Sequence, residues 1–68
     1  MKNIIKEERA RLNITQQELA DSIHVSRQTI NSIENNRYVP SIILALKISE
    51  LLKKSVNKIF ELEKTDWE

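Results

Sequence analysis

Residues 16–35 read QQELADSIHVSRQTINSIEN, and this stretch decides the fold. It divides into two short helices separated by a tight three-residue turn, with the first helix breaking at His24. The first helix has a well-marked start. Thr15 and Glu18 stand at the spacing of a capping box, with Ile14 and Leu19 placed as a hydrophobic staple across it. The second start repeats that logic, with Ser26 as N-cap and Val25 with Ile30 as the staple. Helices joined by so short a turn cross steeply and bury one shared face. The geometry asks for apolar side chains at Leu19, Ile23, Val25, Ile30 and Ile33, and for a small one at Ala20, where the helices come closest. All of these positions comply.

Upstream, the spacing predicts a helix from about Asn3 to Leu12, with Ile5 and Leu12 one heptad apart on the inner face and Asn13 as its stop. Downstream, the segment NNRYVP reads as a loop leading to Ser41, the cap of a fourth helix that carries Ile42, Ala45, Ile48 and Leu52 at helical spacing. Ser55 can cap a short fifth helix containing Val56, Ile59 and Phe60. The tail ELEKTDWE alternates polar and apolar residues, which allows a short strand there and with it a short terminal two-stranded β element. No repeat, linker or low-complexity run divides the chain, so residues 1–68 are expected to form a single all-α domain with the motif at 16–35.

Composition excludes several kinds of function. The 68 residues include no cysteine and one histidine, so neither a disulfide framework nor a thiolate or zinc site is expected. Glycine is absent, which removes the usual phosphate-cradling loops and leaves turns to residues that tolerate left-handed backbone. Asn13, Asn35, Asn36 and Asn57 stand where helical patterns break and are the expected substitutes. The charged N-terminus, MKNIIKEERARLN, lacks the apolar run of a signal peptide, and no stretch approaches membrane-spanning length. A cytoplasmic protein with no membrane partner is expected. A formal net charge of +1 decides nothing, because what matters for a small binder is where the positive groups sit.

The outer face of the helix after Ser26 offers Arg27, Gln28, Asn31 and Ser32. None is acidic, whereas an ordinary solvated face mixes in Glu and Lys. Arginine donates twice to guanine O6 and N7, and Gln or Asn pairs twice with adenine. These side chains, with Ser26, suit the edges of bases in double-stranded DNA.

From Ile5 to Phe60 the chain resembles the Cro/cI-type, or Xre-family, helix-turn-helix repressors, and within them the compact cytolysin-repressor subgroup. SRQTI, the IE pair and a Y-x-PS segment carry the resemblance. It implies a five-helix lambda-repressor-like DNA-binding domain in a prokaryote or phage, nucleoid-associated when bound, with no catalytic activity, metal or cofactor. The helix beginning at Ser26 would lie in the major groove, with Arg27, Gln28, Asn31 and Ser32 facing bases. Gln16 would touch a phosphate and brace that helix. Gln17, Thr29, Asn36, Arg37 and Tyr38 would lie against the DNA backbone. Arg9 would pair with Glu34, the one acid near the reading helix, which would otherwise repel DNA. At His24 the family commonly has glycine; histidine accepts positive φ better than most residues.

Other constellations carry less. Ser26, Asp21 and His24 do not make a hydrolytic triad, since Ser26 is needed as a cap and no oxyanion site is evident. Lys53, Lys54 and Lys58 are interleaved with Glu50, Glu61 and Glu63 and read as a solvated surface. Apolar residues remain beyond the needs of one small core: Ile43, Leu44, Leu51, Leu62 and Trp67. Half-site reading needs two heads about one DNA turn apart, so a homodimer through the fifth helix and tail is expected, with Leu51, Phe60, Leu62 and Trp67 as interface candidates. An alternative is an antitoxin-like module whose C-terminal surface holds a regulatory protein partner and whose DNA binding is autoregulatory.

Overall fold

The computed structural model describes all of residues 1–68. Five helices carry the fold: α1 (Ile5–Leu12), α2 (Gln16–Ser22), α3 (Arg27–Glu34), α4 (Ile42–Leu52) and α5 (Val56–Ile59). Two short strands, β1 (Lys2–Asn3) and β2 (Phe60–Glu61), pair antiparallel with Asn3 opposite Phe60, and a 3₁₀ turn spans Lys64–Trp67. The all-helical expectation holds, together with a small two-stranded sheet. No helix is long and apolar enough to cross a membrane.

Local chemistry explains the helix starts. Thr15 and Glu18 form both halves of the capping box: Thr15 Oγ1 accepts from the Glu18 N–H at 3.0 Å, and Glu18 Oε1 from the Thr15 N–H at 2.8 Å. Ser26 and Ser41 cap α3 and α4 by accepting the backbone N–H groups of Thr29 and Leu44, each at 3.1 Å. Ser55 precedes α5 in extended conformation but makes no side-chain cap bond.

The helix stops share one device without any glycine. Asn13, His24, Asn36 and Lys53 all adopt left-handed backbone, with φ between 58 and 61°. At each, the residue's own N–H and that of its successor turn back onto the carbonyls of the preceding turn; at His24 these are His24 to Asp21 and Val25 to Ala20, at 3.4 and 3.0 Å. Asn13 and Asn36 fill the role expected of them. Asn35 has φ −93° and Asn57 lies inside α5, so neither is a left-handed stop. Lys53 takes a position for which nothing in its side chain prepares it, and a Cβ there costs roughly 1 kcal/mol.

The core gathers Ile5, Leu19, Ala20, Ile23, Ile30, Ile33, Leu44, Ile48, Leu52 and Ile59, with Leu12, Ile14, Val25, Leu51 and Phe60 packed against it. α2 and α3 pack most extensively, as their shared apolar face requires. Three expectations change. Helix α1 begins at Ile5 rather than about Asn3, because Lys2 and Asn3 are drawn into β1. Phe60 leaves α5 to begin β2, so the strand takes in only the first tail residue, Glu61, and the rest of the tail closes as a 3₁₀ turn at Lys64–Trp67. On α4 the buried stripe runs through Leu44, Ile48 and Leu52, while Ile42 faces outward. The apolar run Ile42–Leu46 fits more than one helical phase, and tertiary packing selects the one with Leu44 inside.

One buried charge is also settled. Glu8 on the inner side of α1 is held by Arg11 Nε at 2.8 Å and Lys54 Nζ at 3.2 Å. The Arg11 hydrogen bond, reinforced by Lys54 and opposed by burial, holds the Glu8 carboxyl below its ordinary value.

Candidate nucleic-acid interface

Helix α3 stands between two open polar troughs. On one side Arg27 shares a trough with Gln16 and Gln17 at the start of α2. On the other side Ser26, Gln28, Thr29 and Ser32 share a trough with Tyr38 from the following loop. Asn31 is half-exposed on the same helix, and Asn36 and Arg37 are exposed just past its end. The structure therefore brings Gln16 and Gln17 together with Arg27, and Tyr38 together with Ser26, Gln28, Thr29 and Ser32.

Several of these side chains are already engaged. Thr29 is half-buried, and its hydroxyl lies 2.9 Å from Ser26 Oγ, reinforcing the cap. Gln17 Nε2 donates to Asp21 Oδ1 at 2.8 Å. Gln16 Nε2 donates to Glu34 Oε1 at 3.1 Å and so ties the start of α2 to the end of α3. No side-chain hydrogen bond holds Arg27, Gln28 or Arg37, and each stays exposed and free to turn toward a ligand.

The electrostatics turn on Glu34, the only acid between Ser26 and Ser41. Its side chain is 5% exposed and is gripped by Arg9, whose Nε donates to Oε2 at 2.6 Å and whose Nη2 donates to Oε1 at 3.2 Å. Arg9 Nη1 also donates to the Ile14 carbonyl at 3.1 Å. A bidentate arginine with a third bond to backbone has its position set by α1 and by the loop before α2. The pair neutralises the acid and orients α3 against the other two helices.

The loop after α3 is equally determined. Asn36 N–H donates to the Ile33 carbonyl at 3.1 Å and Arg37 N–H to the Ser32 carbonyl at 2.8 Å, so the left-handed Asn36 fixes where Arg37 and Tyr38 leave the helix. Pro40 is buried and Ser41 starts α4 at once, which closes the loop from the other end.

This geometry has known counterparts. A family model described as Helix-turn-helix matches residues 5–59. The chain belongs to the Xre/Cro-cI-like helix-turn-helix family. Its relatives in that family include the HTH-type transcriptional regulator YgzD of Bacillus subtilis, 44% identical over 93% of this chain and 96% of that protein. An HTH-type transcriptional regulator of Methanothermobacter thermautotrophicus is 44% identical over 93% of each chain. MJ0272 of Methanocaldococcus jannaschii, also named an HTH-type transcriptional regulator, is 46% identical over 93% of this chain and 96% of its own.

The expected dimer residues differ in exposure and surroundings. Leu51 is half-buried in an apolar groove with Ile23, Ile43 and Leu46, between the end of α2 and α4. Phe60 lines a small cavity under the loop after α3. Leu62 and Trp67 are exposed in the tail, Trp67 to 78%. The sequence reading missed the exposure of Val39, Ile42 and Leu46. It also missed Asn3, whose side chain reaches the end of α3. An asparagine two residues ahead of a helix start, placed to accept the Ile5 N–H, was the available signal.

Proposed function

We propose that this chain is a sequence-specific double-stranded DNA-binding transcriptional regulator, acting as a repressor that reads a palindromic operator as a homodimer. Helix α3 enters the major groove. Ser26, Arg27, Gln28, Asn31 and Ser32 meet base edges, while Gln16, Gln17, Thr29, Asn36, Arg37 and Tyr38 lie along phosphates and sugars. The observation that carries this reading is the acid-free outer face of α3, kept so by the sequestration of Glu34 on Arg9 and Gln16. A phosphate backbone approaching that face meets an arginine, amides and hydroxyls that can donate, and no carboxylate. The helix-turn-helix regulators to which the chain is similar support the same reading. Leu51, Phe60, Leu62 and Trp67 remain the candidates for the dimer contact.

A second reading has one observation in its favour. The apolar groove of Ile23, Ile43, Leu46 and Leu51 is open to a protein partner, as in an antitoxin-like module with autoregulatory DNA binding. One experiment tests the operator reading: selection of bound duplexes from a random DNA pool at physiological salt. Enrichment of a palindrome with half-sites about one turn apart supports the dimeric operator reader. No enrichment from folded protein removes sequence reading and leaves the partner-binding module.

A further inference from the structure

Asn3 ends β1, half-buried, and its side-chain amide uses both of its N–H donors and accepts one hydrogen bond at its oxygen. Its Oδ1 accepts the Ile5 N–H at 3.2 Å, at the start of α1. Its Nδ2 has two N–H groups to give, and they go to the far end of α3: the Ile33 carbonyl at 3.0 Å and Asn36 Oδ1 at 3.2 Å. The strand presents Asn3 from a fixed backbone, since Asn3 pairs with Phe60 and the Ile4 N–H donates to the Ile59 carbonyl at 3.0 Å. Beneath this contact lies a cavity of only ≈ 40 Å³, between Asn3, Ile33, Tyr38 and Phe60, so the loop has little room to relax inward.

The bond to Asn36 has a chemical consequence. An amide can turn either its oxygen or its NH₂ toward a neighbour, and the hydrogen-bond network decides which. With Oδ1 committed to Asn3, Asn36 presents Nδ2 to the exposed side. That is the half that can donate to a phosphate oxygen; the opposite orientation would set oxygen against an anion.

We infer that Asn3 is a positioning residue for DNA binding: it orients the Asn36 amide with its NH₂ outward, ready for a phosphate, and holds the Asn36–Tyr38 loop against the end of α3. The inference rests on the proposed placement of this loop along the DNA backbone. Phosphate contacts are largely independent of base sequence, so the role is open to test before any operator is known.

The experiment measures binding of a mixed-sequence DNA duplex by fluorescence anisotropy, using the full chain, Asn3→Ser, Asn36→Ala and the double variant. Serine keeps an acceptor near the Ile5 N–H but cannot reach Asn36. Each single change is expected to weaken binding about three- to tenfold, the size of one net hydrogen bond. The double variant is expected to bind no more weakly than the weaker single, because both changes remove one arrangement. Full affinity in folded Asn3→Ser, or losses that multiply in the double variant, overturns the positioning role. Failure of the unaltered folded chain to bind duplex at all instead sinks the DNA reading itself. A second readout needs no variant. The Asn36 side-chain NH₂ resonance should shift strongly when duplex is added, and an unmoved signal in a bound complex contradicts the inference.

Discussion

Helices α3 and α4 are built alike and presented differently. Each starts at a serine whose Oγ accepts a backbone N–H at 3.1 Å, buries one apolar stripe, and is followed by a left-handed residue, Asn36 or Lys53. Outward, α3 shows an arginine, amides and hydroxyls, whereas the first half of α4 shows Ile42, Ile43 and Leu46, exposed to 77, 66 and 50%. Capping and burial account for why both segments are helices. They place no demand on the outward side chains, so function is recorded there. The polar face suits base edges and phosphates; the apolar face suits a protein surface.

The sharpest way to break the contrast is to release the acid hidden behind α3. Arg9→Ala leaves Glu34 buried without its cation, a change that costs about 3–5 kcal/mol in comparable pairs. Chains of this length have roughly 3–10 kcal/mol of total stability. Urea unfolding should therefore show a large drop in midpoint, about a third of the total stability or more, and an unfolded variant in buffer if the chain lies at the low end of that range. A near-neutral effect would mean that Glu34 finds water or another donor and that the pair does not orient α3.

The next largest effect lies on the outer face of α3. Arg27→Ala or Gln28→Ala should each lose about 1–3 kcal/mol of binding to the preferred duplex and relax preference at particular bases. Arg37→Ala should weaken all sequences alike and lower the salt slope by about one. Quantitative binding to duplexes altered one base pair at a time distinguishes the two behaviours. Uniform losses from Arg27 and Gln28 would move α3 out of the groove.

The two helix ends provide a smaller comparison. Lys53→Gly should stabilise by about 1 kcal/mol in thermal unfolding, because glycine escapes the Cβ clash at φ 58°. Asn36→Gly should gain less or lose stability, since asparagine already tolerates that conformation and glycine gives up the hydrogen bond from Asn3. Equal gains would show that side-chain chemistry at the left-handed position is irrelevant. Acid distinguishes the ends as well. Glu8 ties α1 to Lys54, just past α4, and its carboxyl is held below the ordinary 4.5. A depressed carboxyl contributes stability above its unfolded value and loses it as pH falls through its folded value. Stability followed by denaturant midpoint should therefore drop on acidifying below about 4.5, and Glu8→Gln should flatten that drop. At the low end of the scale, Ile43→Ser should change stability by no more than about 0.5 kcal/mol and leave DNA affinity unmoved.

Local signals made much of this legible. Thr15 with Glu18, Ser26 and Ser41 are caps whose partners lie three residues away, so sequence spacing alone locates them. The shared face of α2 and α3 was legible because its apolar positions are fixed by one tight turn. Of the β1–β2 pair, the possibility of a terminal β element was legible, but its partners and register were not, since it joins Asn3 to Phe60 across nearly the whole chain. The phase of α4 was hidden because Ile42, Ile43, Leu44, Ala45 and Leu46 are all apolar. Lys53 was hidden because nothing about lysine announces positive φ. Among the candidate site residues, Arg27 and Gln28 were singled out by their chemistry, while the reach of Asn3 to Asn36 depended on a strand pairing that no local pattern encodes.

One measurement bears on the contrast between α3 and α4 most directly: backbone amide shifts of the labelled chain as duplex DNA from the selected pool is added. The expected result is large shifts at Ser26–Ser32 and Asn36–Tyr38, with Ile42–Leu46 unchanged. Shifts concentrated on α4 or the tail, with α3 silent, would contradict the assignment of α3 as the reading helix.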